Sequence, residues 1–168
     1  MYKLQNAPEK EVFMADMLVK LYDLNFDDPV FDQLKKDGFV IKRAIGPEKE
    51  ALVKWVGEKF SVHWASECSC AFRTSPACCY VVVKDKEIVG FACYDVTVKD
   101  FFGPTGVDEK YRGKGIGKAL LLKSLEGLWN LGYAYGVIGG VGPVDFYRKS
   151  CGAVLIENST PGIYANLI

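Results

Sequence analysis

The chain of 168 residues is long enough for one domain of ordinary size. Its 21 lysines and arginines balance 21 aspartates and glutamates, so the charge does not point to nucleic acid as a ligand. The longest apolar run, near residues 77–83, is far shorter than the roughly 20 residues that cross a membrane. The N-terminus also lacks an apolar signal segment, and we therefore expect a cytoplasmic protein without a membrane partner.

The first part of the chain predicts a short strand followed by a helix. Residues 17–22 alternate loosely between apolar and polar side chains, as a strand does. Asp28 and Pro29 are typical of a helix start, as N-cap and first helical residue. We expect residues 1–38 to form an N-terminal extension, one short strand plus one helix, that packs on a main domain of residues 39–168.

The sequence of the main domain predicts helices interspersed with short β-strands. A strand over residues 39–43 is followed by two helices, which begin at Pro47 and Ser61. A later strand contains Gly103 and Pro104, and because proline lacks an amide donor the pairing there must be broken or bulged. The remaining elements are a hairpin over residues 79–96, a strand over 101–107, a helix over 116–131, a strand over 133–138, a helix over 143–150 and two closing strands over 153–156 and 163–167. This order predicts an α+β fold, with a mixed sheet and helices on both of its faces.

Six cysteines and one histidine narrow the kinds of site. Cys68 and Cys70 are spaced as C-x-C, and Cys78 and Cys79 are adjacent, whereas zinc ligands are usually spaced as C-x-x-C or joined by histidines. We therefore expect buried or half-exposed thiols and no metal. Because His63 is the one histidine and no Gly-x-Ser-x-Gly turn is present, serine hydrolases and helical zinc proteases are excluded.

A glycine-rich loop follows the strand that ends at Val107. Residues 112–117 read Arg-Gly-Lys-Gly-Ile-Gly and precede a helix, so a ligand could approach the unpaired amides of the helix N-terminus. The helix dipole and nearby basic side chains favour an anion there. The spacing fits neither the dinucleotide motif G-x-G-x-x-G nor the P-loop, which has a hydroxyl residue where this chain has Ala119. Two interpretations remain, a cradle for a pyrophosphate and a turn where the helix packs closely on a strand.

The loop and a later segment resemble one enzyme family. Residues 107–121 resemble motif A of the GNAT (GCN5-related N-acetyltransferase) superfamily, whose core Arg/Gln-x-x-Gly-x-Gly/Ala is matched by Arg112, Gly115 and Gly117. Residues 145–153 are similar to the end of the family's motif B. The resemblance covers the main domain and implies the GNAT fold, a mixed and mostly antiparallel sheet of six to seven strands, splayed at its centre, with helices on both faces.

The resemblance also implies a reaction. It implies an acyltransferase with acetyl-CoA as cosubstrate, which transfers the acetyl group directly to a primary amine and needs no metal. Tyr147 would protonate the departing CoA thiolate, the alternative being that it only packs its helix on the sheet. The residues implied in CoA binding are Thr105, Gly106, Val107, Arg112, Gly113, Lys114, Gly115, Ile116, Gly117, Lys118 and Phe146.

The sequence says less about the acceptor. An attacking amine must be neutral, and Glu67 and Asp95 are the candidate carboxylates that would take its proton. Residues 64–67, 103–107 and 141–147 look similar to a bacterial subgroup that includes glucosaminide N-acetyltransferases, so we expect a small-molecule amine or an amino sugar. A protein N-terminus or lysine as acceptor, and a non-catalytic acyl-CoA-binding domain, stay open as alternatives. A homodimer could form through the closing strands or the N-terminal extension.

Overall fold

The fold is a single seven-stranded sheet in a computed structural model that describes residues 15–168. The strands are β1 (Met17–Lys20), β2 (Val40–Arg43), β3 (Cys79–Lys84), β4 (Glu87–Tyr94), β5 (Phe101–Val107), β6 (Tyr135–Ile138) and β7 (Val154–Leu155). The helices are α1 (Val30–Lys36), α2 (Lys49–Lys59), α3 (Val62–Cys70), α4 (Ile116–Asn130) and α5 (Val144–Cys151). The strands lie in the order β2-β3-β4-β5-β6-β1-β7, and only β5 and β6 are parallel. The predicted α+β class and the mostly antiparallel sheet are confirmed.

Local capping signals fix where several helices begin. The Asp28 carboxylate accepts a hydrogen bond from the amide of Val30 at 2.9 Å, which satisfies one free donor at the start of α1. The Ser61 hydroxyl accepts one from the amide of Trp64 at 3.1 Å, at the start of α3. Both starts were predicted from these residue types.

The predicted irregularity at Gly103-Pro104 is also present. The register between β4 and β5 shifts between Ala92 and Tyr94, opposite this dipeptide, and Gly103 has a φ of +121°. β5 nevertheless continues from Phe101 to Val107. The strand is therefore bulged and not broken.

The N-terminal segment contributes a strand to the sheet itself. β1 lies between β6 and β7 and pairs antiparallel with both, Met17 lying opposite Ile138 on one side and Leu155 on the other. α1 then packs against α4. The division of the chain at residue 38 stays a prediction, but residues 17–20 are an inner strand of the sheet.

The closing strand predicted over residues 163–167 is wrong. The chain there forms a 3₁₀ turn over Gly162–Tyr164, with i+3 hydrogen bonds from Tyr164 to Pro161 and from Leu167 to Tyr164, both 3.2 Å. Because β1 already pairs with both β6 and β7, the C-terminal segment finds no inner edge to join, and local turns satisfy its amides instead.

Different helices cover the two faces of the sheet. A Cβ atom at Gly90 of β4 would lie 3.2 Å from Leu120 of α4. The next residue, Phe91, packs on Phe60 and Trp64, beside α2 and α3, with ring centroids 5.7 and 6.4 Å apart. Because successive side chains of a strand point to opposite faces, α4 covers one face and α2 with α3 the other. We call these the α4 face and the α3 face.

Helix α4 is the most deeply buried helix of the fold. Leu120, Leu121, Leu125 and Leu128 are completely buried, since the sheet lies on one side of α4 and α1 on another. Full burial of one leucine contributes roughly 1.5–3 kcal/mol to stability. The first turn of α4 is therefore held firmly against the centre of the sheet. No helix within residues 15–168 is long and apolar enough to span a membrane.

Candidate active site

Strands β5 and β6 run side by side for only two residue pairs. Phe101 lies beside Val137, and Phe102 lies beside Ile138. β5 then continues as far as Val107, whereas β6 ends at Ile138. A gap therefore opens at the centre of the sheet, as the resemblance implies for a splayed sheet.

Part of the β5 backbone points into this gap. The amide of Asp108 donates to a carbonyl oxygen of β4 at 2.9 Å, so its backbone faces β4. In an antiparallel pair, alternate residues direct their amide and carbonyl groups to opposite sides. The backbone amide and carbonyl groups of Gly106 therefore face β4, whereas those of Thr105 and Val107 face the gap. The Nε atom of Arg112 donates to the Val107 carbonyl at 3.3 Å from that side.

The first turn of α4 carries free amides near the end of β5. Gly115 is the N-cap, with a φ of +88° and no side-chain cap. The first intrahelical bond joins the amide of Ala119 to the Gly115 carbonyl at 3.0 Å. Within residues 15–168, no acceptor bonds to the amides of Ile116, Gly117 and Lys118. Such a helix end favours an anion, because free donors and the helix dipole point outward there.

The three glycines of the loop differ in what surrounds them. Gly113 has a φ of +78° and open space where a Cβ atom would lie. At Gly115 a Cβ atom would lie 2.6 Å from Val30 of α1, so close packing requires glycine there. At Gly117 it would lie 3.8 Å from the ring of Phe146, an ordinary contact. Close packing thus accounts for Gly115, whereas a Cβ atom at Gly117 would make only ordinary contacts with Phe146 and Val107, beside the free amides of α4.

The basic side chains of the loop are paired to different degrees. Lys118 forms an ion pair with Asp28 at 2.7 Å, and this contact lowers the pKa of the Asp28 carboxyl. Arg112 lies 3.7 Å from Glu109, with both side chains largely exposed. Lys114 is exposed and has no ion-pair partner in the described part of the chain. Arg112 and Lys114 are therefore freer than Lys118 to meet an anion.

Tyr147 lies where the two strands part. Its ring is buried against Phe102, with centroids 6.2 Å apart, and Phe102 is the last residue of β5 that pairs with β6. Phe146 packs beside it at 5.0 Å and faces Gly117. Burial raises the pKa of Tyr147 to about 12, so its hydroxyl keeps its proton at neutral pH.

Asp95 holds together the loop between β4 and β5. Its carboxylate accepts hydrogen bonds from Lys99 at 2.7 Å, from Tyr133 at 3.0 Å and from the amide of Asp100 at 2.8 Å. Burial opposes ionisation, but these donors lower the pKa of Asp95 below its ordinary value. The contacts describe a loop-forming residue, and its role as a base stays a prediction.

Glu67 lies on α3 and reaches the same loop. One carboxylate oxygen accepts a hydrogen bond from the Thr97 hydroxyl at 2.5 Å. The other accepts none from the residues that the structure describes. Glu67 is half-buried, so one oxygen of this carboxylate is available at the edge of the α3 face.

Two residues beside the gap were missed by the sequence reasoning. Asp16 is 7% exposed and accepts a hydrogen bond from the amide of Gly140, just beyond β6, at 2.9 Å. The Tyr164 hydroxyl would lie 2.9 Å from a Cβ atom at Gly139. Burial raises the pKa of Tyr164 to about 12, and the carboxylates of Glu67 and Asp16 add to the rise. No local motif marks either residue, because the pairing of β1 with β6 brings Asp16 to this place and the turn over Gly162–Tyr164 brings Tyr164.

The gap thus connects two chemically different surroundings. On the α4 face lie the free amides of α4 together with Tyr147 and Phe146. On the α3 face lie the carboxylates of Glu67 and Asp16 and the hydroxyl of Tyr164. The arrangement can hold an anionic ligand on one side of the sheet and a cationic one on the other.

Comparisons with known proteins agree with this geometry. A family model described as the acetyltransferase (GNAT) family matches residues 48–153, more than half of the chain. The chain belongs to the GNAT family. Members of this family are acetyl-CoA-dependent N-acetyltransferases. A search of curated protein sequences gives no match to this GNAT chain.

Solved structures share the GNAT fold at low sequence identity. One is the glucosamine N-acetyltransferase region of a fungal multi-domain GH3 β-N-acetylglucosaminidase, with a TM-score of 0.69 at 17% identity, covering 84% of this chain and 19% of that one. A GCN5-related N-acetyltransferase from Sphaerobacter thermophilus gives a TM-score of 0.63 at 20% identity, over 84% of this chain and 48% of the other. A GNAT acetyltransferase from Brucella melitensis in complex with acetyl-CoA gives 0.54 at 18% identity, over 70% and 86%. This chain spans less than half of the first two, and at these identities the likeness establishes the fold alone.

The small residue Gly117, beside the free amides of α4, generates a binding prediction. We expect Gly117→Val to weaken CoA binding at least tenfold, about 1.4 kcal/mol, because the added methyl groups would fill the space next to Phe146. The Cβ contact itself is ordinary, so the melting temperature should hardly change. Calorimetric titration with CoA measures the effect, and Gly46→Val, at an exposed glycine with nothing within 4 Å, is the matched control. Unchanged CoA affinity in Gly117→Val would show that the ligand does not use this space.

The loop that Asp95 holds generates a prediction about pH. Burial, and next the charge of Asp95, raise the pKa of Asp100 to about 6, and one buried oxygen of Asp100 has no donor in the described part of the chain. Between about pH 4 and 6 the Asp100 carboxyl is therefore protonated in the folded state but ionised in the unfolded state. The free energy of unfolding falls as the pH rises through that window. Above pH 6 the ionised Asp100 would lower the free energy of unfolding by at most about 3 kcal/mol. Because the side chain is partly exposed, solvent screening reduces this loss to about 1 kcal/mol.

Asp100→Asn should remove this cost. Residue 100 has a φ of +72°, which asparagine tolerates well, so the loop can keep its conformation. Urea unfolding should show the variant about 1 kcal/mol more stable than the wild type at pH 7.5 and no different at pH 3.5. A stability difference that is the same at both pH values would contradict the assignment.

Proposed function

We propose that this GNAT protein transfers the acetyl group of acetyl-CoA directly to the primary amine of a small molecule, with amino sugars as the first class to test. The observation that carries the proposal is the gap between β5 and β6. It opens on one face to an uncapped helix N-terminus and on the other face to two carboxylates. Donor and acceptor could therefore meet through the sheet without an acyl-enzyme.

The α4 face suits the anionic end of CoA. Free amides at Ile116, Gly117 and Lys118 supply donors for phosphate oxygens, and the helix dipole adds about half a positive charge. The exposed basic groups of Arg112 and Lys114 stand beside them. Along β5, the gap-facing backbone of Thr105 and Val107 offers the donors and acceptors that an amide-containing arm needs. The residues present thus fit the cosubstrate that the family uses.

Tyr147 suits the role of a proton donor. Acetyl-CoA supplies a thioester, whose cleavage by an amine leaves a thiolate that needs a proton. The Tyr147 ring lies where the strands part, and its hydroxyl keeps its proton at neutral pH because burial raises its pKa to about 12. Preorganised donors of this kind contribute most where charge develops in a dry site. The free backbone amides of β5 would act on the carbonyl oxygen in the same way.

The α3 face suits a cationic acceptor. Asp16 is almost fully buried, and one of its oxygens accepts no bond from the described residues. One oxygen of Glu67 likewise accepts no bond within the described part of the chain. A protonated amine between these carboxylates would be held by charge-assisted hydrogen bonds and could pass a proton to one of them. We favour Glu67 and Asp16 over Asp95 for this step, because three donors already occupy Asp95.

An amino sugar would use this face well. Carboxylates and tyrosine hydroxyls are the groups that bind sugar hydroxyls and ammonium together. The fungal structure with the same fold is named for acetylation of glucosamine, which supports the choice of first substrate. A cytoplasmic location and a homodimer both stay predictions.

The role of Tyr147 can be tested by removing its hydroxyl alone. In Tyr147→Phe the ring still packs on Phe102, so CoA affinity should stay within about twofold. Turnover should fall about a hundredfold, since a positioned general acid contributes about 10² to 10⁴ in rate. The release of CoA thiol and calorimetric CoA titration measure the two effects. Full turnover in the variant would remove the proposed role.

The acceptor class can be tested with a panel and a charge-removing variant. The panel contains glucosamine, other small amines, and peptides with a free N-terminus or lysine. Asp16→Asn keeps the acceptor atom for Gly140 but loses the charge, so KM for the best amine should rise about tenfold. Asp23→Asn is the control, because Asp23 is exposed and forms an exposed ion pair with Lys20.

Three outcomes would count against the proposal. Acetylation of peptides alone would replace the small amine by a protein acceptor. An unchanged KM in Asp16→Asn would move the amine away from Asp16. Tight CoA binding without turnover on any amine would leave a non-catalytic acyl-CoA-binding domain.

A further inference from the structure

Three cysteines from three elements meet in the core on the α3 face. Cys68 of α3, Cys79 of β3 and Cys93 of β4 have their Sγ atoms all within 4.8 Å of one another. Each of the three residues is completely buried. No group of the proposed acetyl transfer uses these sulfur atoms.

The fold itself forces two of these sulfurs together. Cys79 and Cys93 lie directly opposite each other in the hairpin of β3 and β4. The amide of Tyr94 donates to the carbonyl of Cys78 at 3.1 Å, so that neighbouring pair is the hydrogen-bonded one. Cys79 and Cys93 are therefore a non-hydrogen-bonded pair, in which side chains lie closest. Both point to the α3 face, where Cys68 of α3 completes the group.

The spacing is close to what a thiolate-bound metal requires. Metal–sulfur bonds of about 2.3 Å place three sulfurs about 4 Å apart around one ion. Separations of at most 4.8 Å therefore need small side-chain movements and no backbone rearrangement. Thiolates are soft ligands and select Cu(I) or Zn(II) among the common metals.

The number of ligands separates these two ions. Structural Zn(II) takes four ligands, but among the described residues no fourth histidine, cysteine, aspartate or glutamate joins the three sulfurs. Because all three residues are completely buried, a solvent-exposed water does not stand beside them as a fourth ligand. Cu(I) accepts two or three sulfurs and needs no fourth ligand. We propose that Cys68, Cys79 and Cys93 form a binding site for one Cu(I) ion per chain.

The charge balance of the site is compatible with its burial. Thiols lose protons when they bind a metal, so the entry of one Cu(I) ion with the release of one thiol proton leaves the net buried charge unchanged. The ion is held by sulfur atoms on its sides, and no unpaired charge is added to the core.

The site also lies next to the proposed acceptor side. Cys68 directly follows Glu67, whose carboxylate bonds to Thr97 of the β4–β5 loop. A bound ion would tie this part of α3 to β3 and β4. It would hold Glu67 at a fixed distance from the gap.

The test is a competition for Cu(I) under anaerobic conditions. Reduced full-length protein is titrated into the coloured Cu(I) complex of bicinchoninate, and the loss of colour reports transfer of the ion. One equivalent per chain is expected for the wild type. Cys68→Ala should lower the affinity at least tenfold, since even partners outside the ligand shell contribute about 10- to 100-fold. Cys70→Ala, two residues along the same helix and outside the group, should bind as the wild type does.

A second measurement covers the case in which Cys68→Ala does not fold. X-ray absorption of the loaded wild-type protein should show sulfur as the only neighbours of copper, and Cu(I) should raise the melting temperature. Failure of the wild type to take up Cu(I), equal binding by both variants, or equally tight Zn(II) binding would overturn the proposal. So would four titratable thiols instead of six in freshly denatured protein, because Cys79 and Cys93 would then be joined as a disulfide.

Discussion

The short pairing of β5 with β6 is the constraint on which the site depends. Two residue pairs hold β5 and β6 together, and beyond Phe102 the two strands diverge. Further pairing would bury the backbone groups of Thr105 and Val107 in a ladder, and nothing could enter between them. The bulge opposite Gly103-Pro104 lies where the divergence begins, so an irregular strand and an open gap occur at the same place.

The gap is useful because its two sides carry opposite electrostatic character. Free helix amides on the α4 face attract an anion, and two carboxylates on the α3 face attract a cation. Tyr147 lies on the α4 face where β5 and β6 part, and its burial makes the neutral hydroxyl the favoured form. The same burial that keeps this proton in place also makes each polar contact stronger than it would be in water.

The insertion of β1 between β6 and β7 links the first described strand to the C-terminal segment. Through it Asp16 accepts a bond from Gly140, and its own amide donates to the Ser159 hydroxyl at 2.8 Å. The C-terminal turn that carries Tyr164 packs over this junction and adds a hydroxyl to the α3 face. The proposed acceptor side of the gap is thus assembled from segments more than 120 residues apart.

The sequence by itself determined the features that depend on neighbouring residues. Capping at Asp28 and Ser61, the irregularity at Gly103-Pro104 and the glycine loop before α4 all follow from signals a few residues long. They identified the α+β class and led to the loop that we propose as the donor side of the site, and the resemblance named the family. Local patterns succeed here because caps, turns and glycine conformations are set by local sterics and hydrogen bonds.

Only the tertiary structure decided how distant segments meet. It placed β1 inside the sheet, turned residues 163–167 away from a strand, and brought Asp16 to the gap. It also surrounded Asp95 with three donors and gathered three cysteines that no spacing rule connects. Strand order and register are chosen by the burial of whole faces against one another, and a single sequence does not display which remote partners achieve it.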